Sequence, residues 1–281
     1  MSRLYETLRR MEMQRGKSDP IQIASLQPVE LLNTVMAEPA ELEGTSTAKV
    51  EVTLKTRLVA LTDPRGLGAE KFRALTTRLE HQRKGRELKS LQITSAVVNE
   101  GKTLVSANLA VTLAKHTGSR VLLVEGDLHR PTLSSLFGLG RVHGIGQWWS
   151  AREEKERIPH YVYQLNEIPL WFLGAGATSD QPSQILQSAR FAETFVRLAS
   201  WFDWIVVDST PILPMVDANL WSRLIDGTLL VVREGVTPVR ALRKAFESLD
   251  NPKLVGMVLN EASEFDRTNY ADQYYSLSRP E

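Results

Sequence analysis

Short apolar runs and segments of helical period alternate through the middle of the chain. The runs at 90–95, 121–126, 204–208, 228–233 and 254–259 are rich in Val, Ile and Leu, the pattern of strands covered on both faces. Two further short strands are expected near Tyr161–Tyr163 and Leu170–Leu173. Between these lie segments of helical spacing: Ala69–Gln82, a helix opening at Lys102 with Leu104, Leu109 and Leu113 on one side, a short one near Leu133–Phe137, then 183–201, 217–224 and 238–249. Thr237 before Pro238 predicts a capped start for the helix at 238–249. Alternation of this kind predicts an α/β fold with a mostly parallel sheet, helices on both faces and right-handed crossovers.

Outside 57–262 the alternation stops. Residues 1–18 predict an amphipathic helix, with Leu4, Leu8 and Met11 on one face and Arg3, Arg9, Arg10 and Arg15 elsewhere. It reads first as a frayed terminal helix, and alternatively as a surface for a partner or anionic lipid. Residues 19–56 hold Pro20, Pro28 and Pro39 and the acidic Glu38, Glu41 and Glu43, and read as a linker with one short helix. Residues 263–281 are polar and read as a tail. Four regions follow: a terminal helix (1–18), a linker (19–56), an α/β domain (57–262) and a tail (263–281).

Composition narrows the class. A hydrophobic content of 42% supports a substantial core, and a formal net charge of +1 gives no overall pull toward nucleic acid. The chain has no cysteine, so thiolate metal sites and a Cys nucleophile are excluded. No apolar run approaches the ~18–20 residues of a membrane helix, and a cytoplasmic chain is expected, held at a membrane only by another protein.

The chemistry is concentrated at strand ends. After the strand at 90–95 comes Ala96-Val-Val-Asn99-Glu100-Gly101-Lys102-Thr103-Leu104. A Gly-Lys-Thr at a strand-to-helix junction gathers backbone N–H groups, a helix N-terminus, an ammonium and a hydroxyl at one point, a site for polyphosphate with Mg²⁺. Ala96 stands where the usual pattern has its first glycine, and Asn99 is suited to a left-handed turn position. Glu125 and Asp127 end the strand at 121–126, and Asp208 ends that at 204–208. In a parallel sheet these ends share one edge, so Lys102, Thr103, Glu125, Asp127 and Asp208 are expected around one nucleotide, with Thr103 and the carboxylates near its metal.

The order of these motifs resembles the bacterial tyrosine kinases of capsule and exopolysaccharide synthesis. The segments that carry the resemblance are E-K-F-R-A-L-T-T-R-L from Glu70, the loop at 96–104, R-V-L-L-V-E-G-D-L-H-R-P from Arg120, F-D-W-I-V-V-D-S-T-P from Phe202, D-A-N-L-W-S-R-L-I-D-G-T-L-L-V-V-R from Asp217 and G-M-V-L-N from Gly256. The resemblance implies a P-loop NTPase fold and Mg·ATP as phosphoryl donor. In it Asn99 to Leu104 bind the nucleotide, Asn260 contacts the adenine, and Lys102, Glu125, Asp127 and Asp208 act in catalysis. It further implies autophosphorylation in trans on the tail tyrosines Tyr270, Tyr274 and Tyr275, and a transmembrane polysaccharide co-polymerase as partner. Subunit assembly would run through the helix bearing Glu70 and Arg73, where the family's third charged position is Thr76, with Arg78 nearby. Glu125 replaces the family's aspartate and His129 its arginine.

Two rival readings share the fold: a partitioning-type ATPase switch, whose extra lysine would occupy the position of Val97, and a nucleotide-binding scaffold without kinase activity. The glycines at 138, 140, 144 and 146 read as loop residues, Trp148, Trp149, Trp201 and Trp204 as core or interface, and Arg83-Lys84-Gly85-Arg86 as a solvated turn.

Overall fold

The computed structural model describes residues 45–51, 56–151, 158–166, 168–177, 182–249 and 253–262. The terminal helix at 1–18, nearly all of the linker and the tyrosines Tyr270, Tyr274 and Tyr275 lie outside the described residues. In chain order the elements are β1 (Ser46–Ala48), α1 (Val59–Thr62), α2 (Leu67–Arg83), β2 (Ser90–Ser95), α3 (Lys102–Thr117), β3 (Val121–Glu125), α4 (Leu133–Leu136), α5 (Ile145–Ser150), β4 (Val162–Leu165), β5 (Leu170–Leu173), α6 (Pro182–Gln187), α7 (Ala189–Ser200), β6 (Trp204–Asp208), α8 (Asp217–Leu224), β7 (Gly227–Arg233), α9 (Val239–Ser248) and β8 (Leu254–Asn260).

The strands form one sheet in the order β1-β4-β5-β3-β6-β2-β7-β8, and every pairing is parallel except β4 with β5. This is the expected α/β architecture. Alternate residues of each central strand face opposite layers. Val121, Leu123, Trp204, Val206, Leu91 and Ile93 pack against α2 and α3, while Leu122, Val124, Ile205 and Val207 pack against α7 and α8. Helix α7 shows how packing decides a local form. Phe191, Phe195 and Leu198 recur at helical spacing and are buried, and burying each contributes about 1.5–3 kcal/mol. Buried Asn108, inside α3, fixes α1 in place: its Oδ1 accepts from the Ala60 N–H at 3.1 Å and its Nδ2 donates to the Arg57 carbonyl at 3.2 Å.

Several sequence expectations are corrected in detail. The single helix expected over 183–201 is two, because the Ser188 hydroxyl turns to accept from the Phe191 N–H at 3.1 Å and caps α7. Thr237 does not cap α9; Pro238 holds the cap position without a side-chain bond, and the Thr237 hydroxyl is drawn elsewhere. Within the presumed linker, Ser46–Ala48 is an edge strand paired with β4. Gly144 and Gly146 are not loop glycines: Gly144 caps α5 and Gly146 lies within it. Their backbones approach 174–177 so closely that a Cβ on Gly146 would sit 1.8 Å from the Ala177 carbonyl. On α2, Arg73 donates to Glu70 at 2.9 Å and to the Pro64 carbonyl at 2.7 Å, while Thr76 is buried and Arg78 exposed. The three positions of the assembly motif therefore do not form one exposed charged stripe.

Candidate nucleotide site

The phosphate loop is made by two left-handed residues between β2 and α3. Asn99 has φ 63° and Gly101 φ 90°. Asparagine accepts this conformation at low cost, as the sequence suggested. Gly101 needs to be glycine twice over, since a Cβ there would also stand 2.1 Å from Asn260 Nδ2. Beneath the loop, Glu100 is buried and directed into the protein. One carboxylate oxygen accepts from the Val97 N–H at 2.9 Å and the other takes the Thr237 hydroxyl. Asn260 Nδ2 donates to the Glu100 carbonyl at 2.9 Å, and Arg233 reaches the Asn99 carbonyl at 3.4 Å. The ends of β7 and β8 thus hold the loop in shape. No side chain caps α3, so its first-turn N–H groups remain directed at the loop mouth, an arrangement suited to an anion.

Around this mouth stand the expected charged groups, in unequal roles. The Lys102 ammonium lies 3.2 Å from Asp127 Oδ2, both side chains largely buried, and Asp127 Oδ1 accepts from the Arg130 N–H at 3.0 Å. Asp208, at the end of β6, is registered beside Ile93 of β2 and Glu125 of β3, which sets it between the two loops. Its Oδ1 accepts from the Ser106 hydroxyl at 3.2 Å, whereas its Oδ2 is buried with no hydrogen-bond partner. Burial raises the Asp208 pKa to about 6, against the opposing pull of the Lys102 charge and the nearby Thr103 hydroxyl. A buried carboxylate oxygen without a partner, next to a threonine hydroxyl, is a donor set that fits a hard divalent cation. Among the described residues no three carboxylates or imidazoles gather to hold a metal unaided.

Glu125 is engaged differently. Its Oε1 accepts from the Ser134 N–H at 3.1 Å and the Ser134 hydroxyl at 3.3 Å, and its Oε2 accepts from the Ala175 N–H at 3.0 Å. The extra methylene relative to aspartate is spent tying the loop after β3 to α4 and to the segment after β5. His129 is 2.8 Å from the buried Asp217, whose other oxygen accepts from Ser183 at 2.5 Å. Between Glu125 and Asp127, Gly126 has no room for a side chain. A Cβ would lie 2.7 Å from Val207, and the Gly126 carbonyl accepts from the Trp221 indole at 3.0 Å.

Sequence reasoning missed Ser106, Thr237, Arg233 and Trp221 as supports of this site. Ser106 was findable, since it lies one helical turn after Lys102 on the same face. The others come from elements more than 90 residues away in the chain, and no local pattern marks them.

A glycine-hinged loop between a central parallel strand and an uncapped helix, with a lysine at its mouth and an acid on the adjacent strand, defines a P-loop nucleotide-binding protein. No protein-family profile matches the chain. The chain is 32% identical over 209 residues to the tyrosine-protein kinase YwqD of Bacillus subtilis, an alignment covering 74% of this chain and 86% of that one. It is 31% identical over 218 residues to the succinoglycan biosynthesis transport protein ExoP of Rhizobium meliloti, covering 74% of this chain and 27% of ExoP. Among solved structures, the BceF tyrosine kinase domain superposes with a TM-score of 0.63 at 27% identity, covering 78% of this chain and 85% of that domain. The chain belongs to the bacterial tyrosine-protein kinase family and is a protein-tyrosine kinase.

Proposed function

We propose that the chain transfers the γ-phosphoryl group of Mg·ATP to tyrosines of its own C-terminal segment, Tyr270, Tyr274 and Tyr275, supplied in trans by a neighbouring subunit. The observation that carries the reading is the Lys102–Asp127 pair at the mouth of an uncapped helix, opposite the unpartnered Oδ2 of Asp208. Triphosphate oxygens arriving at the loop take over the Lys102 ammonium and the α3 N–H groups, releasing Asp127. Thr103 and Asp208 would hold the magnesium ion, whose chemistry is to neutralise charge on the phosphate oxygens. Asp127, freed from Lys102, is then the carboxylate placed to accept the proton of the tyrosine hydroxyl. The hydroxyl oxygen forms its bond to the γ-phosphorus as the bond to the bridging oxygen of ADP breaks. In this scheme Glu125 shapes the loop that carries Asp127, and Asn260 acts on the nucleotide by holding the Glu100 carbonyl.

A second reading, a nucleotide-binding scaffold of weak catalytic power, is favoured by one observation: both oxygens of Glu125 are occupied by Ser134 and Ala175. Intact-mass analysis and peptide mapping of the purified chain with Mg·ATP separate the two. Phosphate on the tail tyrosines that vanishes in Lys102→Ala supports the kinase; nucleotide binding without phosphotyrosine supports the scaffold. Similarity to the succinoglycan biosynthesis transport protein ExoP supports a further proposal, that a transmembrane protein of polysaccharide export partners the chain and holds it at the inner membrane face. No helix among the described residues is long and apolar enough to cross a membrane.

A further inference from the structure

At the β8 edge of the sheet, far from β1, the surface is unexpectedly apolar. Of seven exposed large apolar side chains among the described residues, Val236, Val239, Met257 and Leu259 lie here, Val239 at 73% exposure and Met257 at 56%. Met257 and Leu259 are registered beside Leu230 and Val232, which places them on the α9 side of the sheet. On α9 itself, Val239, Leu242 and Phe246 line an open groove with Arg243 and Glu247. Strand β8 pairs with β7 only, so among the described residues its outer edge carries unpaired backbone groups. An apolar strip beside an open strand edge marks a surface built to be covered.

We propose that this α9–β8 face is the docking surface for the chain's own residues 263–281. Three observations select that occupant. The segment follows β8 directly, and the chain bends at Glu261, whose φ is 51° and whose carboxylate is anchored by Arg233 and, at 3.7 Å, by Arg57. Its apolar content, Phe265, Leu277 and the tyrosines, matches an apolar strip, and its acids Glu264, Asp266, Asp272 and Glu281 outnumber Arg267 and Arg279. The exposed flank of α9 carries a net charge of the opposite sign, Arg240, Arg243 and Lys244 against Glu247. Reach is sufficient: the ten residues of α9 extend about 15 Å, which five extended residues cover. The chain before β1 enters at the far edge of the sheet, about 33 Å away across eight strands, and is the poorer candidate.

The regulatory consequence rests on the reading of the tail as phosphoacceptor. A docked tail is withheld from the neighbour's site, and each phosphate, adding ~1.5–2 negative charges opposite Arg240, Arg243 and Lys244, tightens the docking. The product is thereby kept away from the site that made it.

The chain has no cysteine, so engineered pairs in the full-length protein are unambiguous. Val239→Cys combined with Ser276→Cys or Thr268→Cys, treated with a short bifunctional maleimide, is expected to give roughly tenfold more intrachain product than Thr47→Cys with the same tail cysteines, because a docked tail raises local concentration. Replacing Arg240, Arg243 and Lys244 by glutamate should remove that excess. Equal yields from the two anchor positions overturn the proposal, as does a product linking two chains, which would make a second copy the occupant. Phosphotyrosine mapping of the same samples keeps the two ideas separate. A phosphorylated tail without the Val239 excess removes the dock and keeps the kinase reading; the excess without phosphotyrosine keeps the dock and removes that reading.

Discussion

The buried carboxylate of Asp208, with Oδ2 unpaired, has a measurable consequence for stability. Its pKa rises from an ordinary 3.8 to about 6 on folding, chiefly through burial. The native chain therefore binds more protons than the unfolded one between about pH 4 and 6, so this group removes stability as the pH climbs through that window. At 1.36 kcal/mol per pH unit the penalty at neutral pH is about 3 kcal/mol, a large part of an ordinary folding free energy. Asp208→Asn takes away the charge and keeps the size. Its amide introduces a fixed offset of about 1 kcal/mol from unsatisfied donors, which does not vary with pH. Urea denaturation of both chains without nucleotide, from pH 4 to 7.5, should show the variant gaining about 2 kcal/mol relative to the parent across that range. Mg·ATP should then stabilise the parent more than the variant, which keeps Lys102 and the α3 N–H groups but loses one magnesium ligand. A pH-independent difference between the two chains would refute the assignment of Asp208 as a buried charge awaiting a cation.

Other consequences can be tested separately. Lys102→Ala should fold normally and lose roughly 10²–10³-fold in phosphorylation rate, with nucleotide affinity falling in parallel by calorimetry. Gly101→Ala, strained by its left-handed backbone and by Asn260, should weaken ATP binding while far-UV circular dichroism stays unchanged. Thr237→Val leaves one buried Glu100 oxygen unpaired and should destabilise the chain by about 1–3 kcal/mol in denaturant melts, with KM for ATP raised more than kcat is lowered. Glu125→Asp should loosen the tie to Ser134 and Ala175 and lower activity; a sharp rise would show that this residue acts at the phosphate and not through its loop.

The phosphate loop was legible because everything that makes it is local: an apolar strand, a residue tolerant of positive φ at Asn99, and Gly-Lys-Thr opening a helix. The sheet, β1 apart, was legible for the same reason, each of its other strands announcing itself by its own apolar run. What escaped was set by partners distant in sequence. Thr237 before Pro238 has the local form of a helix cap, but Glu100, 137 residues away, offers its hydroxyl a buried carboxylate instead. Glu125 read as an open strand-end acid, and only the folded positions of Ser134 and Ala175 engage it. Strand β1 is three residues long, too short for alternation to register, and exists because β4 has a free edge.

Strand order also governs when the site comes into being. Strand β2, which feeds the phosphate loop, pairs with β6 and β7, more than a hundred residues further along, and not with β3. During synthesis the loop therefore leaves the ribosome long before the strands that flank it, Asp208 among them, and Thr237 and Asn260 arrive later still. A nascent chain stopped before residue 208 would carry the complete Gly-Lys-Thr sequence without the strands that flank it, so ATP can act as a folding ligand only once synthesis has passed Asn260.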